Sequence, residues 1–187
     1  IRSTSLYGNM GSALTGADNT GASVSASDVL LNSLVATNRY IATTHSGSSM
    51  FASVFFGLLD PVSGELLYIN AGHESPIIFR QDGTTELLDV TGGVIGLFPI
   101  ASYTVESTKL NVGDLIFAYT DGVNEAKDTQ GELFNEQRIL AAAAPRGNDA
   151  ETFLSIILDA IHAFRGTAPQ SDDITMLALK YLPPKGV

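Results

Sequence analysis

Leu115-Ile116-Phe117-Ala118-Tyr119-Thr120-Asp121-Gly122-Val123 is the stretch on which the fold turns. Its opening residues are apolar without interruption, the pattern of a central strand buried on both faces. An acidic residue and a glycine follow at once, and glycine lets the backbone come close to whatever the carboxylate binds. A second junction of this kind is Gln170-Ser171-Asp172-Asp173-Ile174-Thr175, where two acidic residues precede a strand expected over 174–181. Neighbouring strand residues point to opposite faces, so one of Asp172 and Asp173 is expected to share a site with Asp121. Oxygen donors without His or Cys suit Mg²⁺ or Mn²⁺. On the residues alone a plainer reading stays open, with Asp121-Gly122 an ordinary turn and Asp172-Asp173 a solvated strand start.

Working outward, Val29, Leu30, Leu34, Val35 and Ile41 recur with the helix period behind a capping-type Ser27, which predicts a helix over 27–43. His45-Ser46-Gly47-Ser48-Ser49 breaks it, and 50–59 is dense in Phe and Val, as a buried strand would be. Asp60-Pro61-Val62-Ser63-Gly64 is a turn into a paired strand over 65–70. A second hairpin joins 76–80 to 84–89 through Asp82-Gly83. Residues 103–110 alternate, and Asn111-Val112-Gly113-Asp114 turns them into 115–120. Helices are expected over 135–144, up to Pro145, and over 149–164, where Phe153, Ile156, Ile157, Ala160 and Phe164 share a face and Gly166 ends the helix. Hairpin-linked strands with helices in separate blocks predict an α+β fold with antiparallel sheets.

The chain has 187 residues with a net charge of −10, so phosphate backbones and anionic lipid surfaces are repelled, and nucleic-acid and membrane partners are not expected. A hydrophobic fraction of 44% excludes whole-chain disorder. The absence of cysteine removes disulfides, thiolate zinc sites and cysteine nucleophiles. Neither a membrane-spanning run nor a signal peptide is apparent, which makes a cytoplasmic location the expectation. Residues 1–26 read as the end of a truncated helix followed by a flexible Gly/Ser/Ala-rich loop, 27–182 as the folded domain, and 183–187 as a tail.

Taken in order, residues 51–60, Tyr68-Ile69-Asn70-Ala71-Gly72-His73-Glu74-Ser75-Pro76, Gly92-Gly93 with Gly96-Leu97, Gly113-Asp114, Tyr119-Thr120-Asp121-Gly122-Val123-Asn124-Glu125 and Ser171-Asp172-Asp173-Ile174-Thr175 resemble one family over about 27–182. It is the bacterial metal-dependent protein serine/threonine phosphatases of the sporulation and stress-response sigma-factor pathways, relatives of the type 2C phosphatases. The resemblance implies an αββα sandwich of two antiparallel sheets flanked by helices, and a binuclear Mn²⁺/Mg²⁺ site whose activated water hydrolyses the phosphoester directly. It implies Asp121 and Asp172 as metal ligands, Asp173 as the second candidate beside Asp172, and Gly122 as backbone near the metals. It further implies a phosphorylated regulatory protein, an anti-sigma-factor antagonist, as substrate, and an upstream sensor domain.

Two further Asp ligands of that family, carried on N-terminal strands, have no counterpart in this sequence. Two carboxylates supply −2 against the +4 of two divalent ions, so one metal or none, and little or no activity, are expected of this chain by itself. The rival reading is a non-catalytic module that binds a partner or regulates, and a sheet edge left uncovered makes a homodimer conceivable. The remaining candidates have ordinary explanations. His73 reads as a turn histidine making a backbone hydrogen bond, His162 as a solvated helix residue and His45 as part of a loop. Gly92-Gly93 lacks a P-loop context and reads as turn chemistry, and the serines of 46–49 lack a nucleophile elbow.

Overall fold

The computed structural model describes residues 24–44, 50–145, 147 and 149–182. The expectations for 1–23, for His45 and its loop, and for the 183–187 tail lie outside the described residues. Among the described residues the elements follow in the order α1 (Ala26–Thr44), β1 (Val54–Leu59), β2 (Glu65–Ala71), β3 (Ile77–Phe79), β4 (Thr85–Leu87), β5 (Glu106–Lys109), β6 (Leu115–Tyr119), α2 (Asp121–Asn124), α3 (Asn135–Ala142), α4 (Ala150–Arg165) and β7 (Met176–Lys180).

The strands form two antiparallel sheets, one ordered β1-β2-β5 and the other β4-β3-β6-β7. Period-two alternation along β2 and β6 sorts the core into layers. Ile69 and Ala71 of β2 meet Leu30 and Leu34 of α1. Leu66 and Tyr68 turn the other way and meet Ile78 and Ile116 between the sheets. Leu115, Phe117 and Tyr119 of β6 face Phe153, Ile157 and Ile161 of α4 and Ile139 of α3. The result is the αββα sandwich, with each fully buried Leu, Ile or Phe contributing about 1.5–3 kcal/mol. Arg80 ties the two sheets together, its guanidinium donating to Thr108 Oγ1 and Lys109 O of β5 as well as to Asp114 and Glu86.

Several local expectations change. The first helix is capped by Ser25 rather than Ser27: Ser25 Oγ accepts from Asp28 N at 3.1 Å while Asp28 Oδ2 accepts from Ser25 N at 3.3 Å. The strand expected over 50–59 begins only at Val54 and is half-buried, because β1 is an edge. The Asn111–Asp114 turn does not close a hairpin. It carries the chain from β5 in one sheet to β6 in the other, with the buried Asp114 carboxylate accepting from Asn111 N, Gln81 N and Arg80. Gly92 owes its place to close packing rather than to turn chemistry, since a Cβ there would lie 2.4 Å from Tyr103 Cδ1.

Candidate active site at the ends of β6 and β7

Strand β6 delivers Asp121 to the first position of the short helix α2, which sequence reading took for a plain turn. Thr120, just before it, is the joint between the two acidic segments. Its N–H donates to Thr175 O at 3.0 Å, its hydroxyl donates to Asp173 O at 3.0 Å, and the same hydroxyl accepts from Thr175 N at 3.0 Å. Gly122 then lies on the backbone of the second segment: a Cβ at this position would fall 2.4 Å from Asp173 O and 3.4 Å from Asp172 C. The expected convergence of the two motifs therefore holds at the level of the backbone, and Gly122 is the residue that permits it.

Asp121, Asp172 and Asp173 are all exposed. Asp172 Oδ1 accepts from Asp173 N at 2.6 Å, and Gln170 Nε2 donates to Asp172 O at 2.7 Å, so the 170–173 segment is braced by its own side chains. Beside Asp121 opens a cleft of about 340 Å³ lined by Ser53, His73, Glu74 and Thr120 together with apolar residues that include Phe51 and Val94. Asp172 and Asp173 lie outside its lining.

The far wall of the cleft is fixed by Asn70, a fully buried polar side chain at the end of β2. Its Oδ1 accepts from His73 N at 2.8 Å and its Nδ2 donates to Leu88 O at 3.1 Å. The His73 ring pairs with Ser53 Oγ at 3.2 Å through Nδ1, so the hydrogen bond expected of that ring goes to a side chain, and the backbone bond belongs to the His73 amide. Glu74 accepts from Asn124 Nδ2 at 2.9 Å, which links this wall to α2. Burial pushes the Tyr119 hydroxyl up to about 12, with the Glu74 and Glu136 carboxylates adding to the effect. Sequence reasoning singled out none of Ser53, Glu74, Thr120 and Asn124, and set His73 aside. Their only signal is position, inside segments already quoted for the resemblance. His162 is exposed on α4, as expected.

The donor chemistry suits a hard divalent cation, since carboxylate oxygens are what Mg²⁺ and Mn²⁺ take. The number of donors falls short. Among the described residues no group of three or more His, Cys, Asp or Glu side chains is placed to hold a metal ion. The Asp121 and Asp172–Asp173 segments meet through their backbones, without three such side chains converging among the described residues.

The fold stacks two antiparallel sheets between helices, with the Asp121 and Asp172–Asp173 segments abutting at the ends of two neighbouring strands. The chain belongs to the Stage II sporulation protein E (SpoIIE) family, whose pattern matches residues 2–182. Protein IcfG of Synechocystis sp. is 38% identical over 149 residues, which are 80% of this chain and 24% of that protein. Phosphoserine phosphatase RsbU of Bacillus subtilis is 31% identical over 87 residues, 46% of this chain and 26% of that one. The crystal structure of the RsbU and RsbW domains of Rv1364c from Mycobacterium tuberculosis matches with a TM-score of 0.67 at 27% identity, covering 84% of this chain and 44% of that one. The chain spans about a quarter of the length of these two sequence relatives. Among the described residues no helix is long and apolar enough to cross a membrane.

Proposed function

We propose that the chain is the C-terminal part of a metal-dependent serine/threonine phosphatase domain in which Asp121 and Asp172 hold a divalent cation, with Asp173 as the second candidate at the latter position. The reading is carried by one observation: in a SpoIIE-family chain, the Asp121-Gly122 turn rests directly on the Asp172–Asp173 backbone. A divalent ion, Mn²⁺ or Mg²⁺, would supply charge to polarise a phosphoryl group and lower the pKa of water there. The chain's own contribution is to hold the two acidic turns at a fixed spacing and to present a cleft walled by His73, Ser53 and Glu74 for the phosphorylated side chain.

The substrate in this reading is phosphoserine or phosphothreonine on a regulatory protein of the anti-sigma-factor antagonist kind, in the cytoplasm, with sensor domains upstream controlling activity. The relatives support it: one is named a phosphoserine phosphatase, and another solved chain joins an RsbU domain to an RsbW domain. With two carboxylates and no third ligand among the described residues, this chain by itself turns over little or no substrate. The same shortage of ligands favours the second reading, a phosphatase-like module that binds or regulates without catalysis.

Phosphate release from a phosphoserine protein, titrated with Mn²⁺ and Mg²⁺, separates the two. It is measured for this chain and for a version extended upstream, each with and without Asp121→Asn. Activity in the extended form that is abolished by Asp121→Asn upholds the phosphatase. Silence of the extended form with both metals and several substrates gives the lead to the binding module, and robust metal-dependent turnover by the short chain overturns the claim that its site is incomplete.

A further inference from the structure

A cleft for a phosphorylated side chain has to hold an anion, yet no Lys or Arg lines this one, and the charged side chains in its lining, Glu74 and Asp121, are carboxylates. Charge can come from a divalent cation, but orienting a phosphoryl oxygen takes fixed hydrogen-bond donors. Among the described side chains that line the cleft, those able to donate are Ser53, His73 and Thr120. The Thr120 hydroxyl proton is committed to Asp173 O, and Ser53 Oγ is engaged with His73 Nδ1 at 3.2 Å. The other ring nitrogen of His73, Nε2, has no hydrogen-bond partner among the described residues. The ring also stands on a built support. Gly72, with φ at 70°, turns the chain out of β2 at a point where a Cβ would lie 2.8 Å from Val94 Cγ1, and the fully buried Asn70 fixes the His73 amide at 2.8 Å.

We propose that Ser53 and His73 act as one unit that binds the phosphoryl group. The Ser53 hydroxyl donates to Nδ1, which leaves the ring proton on Nε2, and Nε2–H donates to a non-bridging oxygen of the phosphorylated side chain. His73 is then a catalytic residue, and Ser53 is the positioning residue that selects its tautomer. The opposite tautomer turns a lone pair towards phosphate oxygens, which in the dianion only accept. This role rests on the phosphatase reading, whereas the tautomer is a property of the present chain.

Two replacements separate phosphoryl binding from turn structure, because an Asn amide reaches the place of Nδ1 and a Gln amide that of Nε2. In the upstream-extended chain with Mn²⁺, His73→Gln should keep kcat/KM for a phosphoserine protein within about tenfold of the parent, while His73→Asn should lose about 100-fold, with the urea midpoint unchanged in both. The reverse ranking, or equal losses, makes His73 a structural turn residue and overturns the proposal. Nitrogen-15 NMR of the present chain at about pH 8.5, where a histidine ring is ordinarily neutral, should place the His73 proton on Nε2, and Ser53→Ala should mix the tautomers. A proton on Nδ1 overturns the proposal whether or not the domain is a phosphatase. Inorganic phosphate titrated with Mg²⁺ into the extended chain should shift the His73 Nε2 resonance, and an unmoved resonance overturns the proposal. A shift in an extended chain that turns over no substrate upholds the phosphate site and removes only the phosphatase reading.

Discussion

Gly122 is the residue at which packing and chemistry meet. Its backbone has no need of a positive φ, so its requirement is for space alone: any side chain collides with the Asp173 carbonyl. Gly122→Ala is expected to destabilise the fold by about 1–3 kcal/mol in urea denaturation, because the obstructing atom is backbone and can yield only by moving a strand end. Tyr119 gives a second expectation. The unfolded phenol releases its proton near its ordinary value of 10.0, whereas the folded one holds it to about 12. The stability that depends on the neutral hydroxyl is thus complete below pH 10.0 and is lost as the pH climbs towards 12. Tyr119→Phe should flatten the fall in the urea midpoint over that alkaline window. Asp114, 1% exposed, accepts from Arg80 and two backbone amides, and Asp114→Ala is expected to cost about 1–3 kcal/mol by leaving the Asn111 and Gln81 amides without their acceptor and removing one of the two carboxylates paired with Arg80.

At the scale of the element, what was legible depended on whether the deciding residues are neighbours in sequence. The hairpins β1–β2 and β3–β4 were readable because Pro61, Gly64 and Asp82-Gly83 act within their own turns. Helix α4 was readable because Phe153 and Ile157 repeat with its period, and Asp149 caps it by accepting from Thr152 N at 2.7 Å. Asp149→Ala should lower the melting temperature by an amount equivalent to about 1 kcal/mol. Phe153→Ala, which empties the space against Phe79 and Phe117, should cost about 3–5 kcal/mol. The partition of β5 and β6 between two sheets was not readable. Asn111–Asp114 makes the same local turn whether the chain doubles back or crosses over, and the choice is made by the remote partners Arg80 and Gln81. Helix α2 escaped for a related reason, being too short to display a period.

Across the whole molecule the layered order was foreseeable and the cleft was not. The resemblance implied the layered order; β2 and β6 are apolar almost without interruption, so which face meets which layer follows from strand geometry and sheet partners rather than from any alternation of residue type. The cleft is assembled from positions far apart in the chain, with Ser53 and His73 on one wall and Asp121 on the other, and nothing local announces their meeting. The pairing of the Asp121 and Asp172–Asp173 turns was legible only because both motifs abut strands expected to be apolar. The net charge of −10 acts at this scale too. Like-charge repulsion opposes the compact state, so moderate sodium chloride, which shortens the screening length to about 8 Å at physiological strength, should raise the melting temperature.

Thr120 has a consequence for how such a centre could be retuned. Beyond the last pair of the β6–β7 ladder, the two acidic turns are joined by the Thr120 amide and by one hydroxyl that both gives and receives a hydrogen bond. Of these ties the hydroxyl is the one a side-chain exchange can remove: Thr120→Val takes away both of its hydrogen bonds and leaves the amide bond and both carboxylates in place. The spacing of the two turns is thereby open to change from a position that carries no carboxylate.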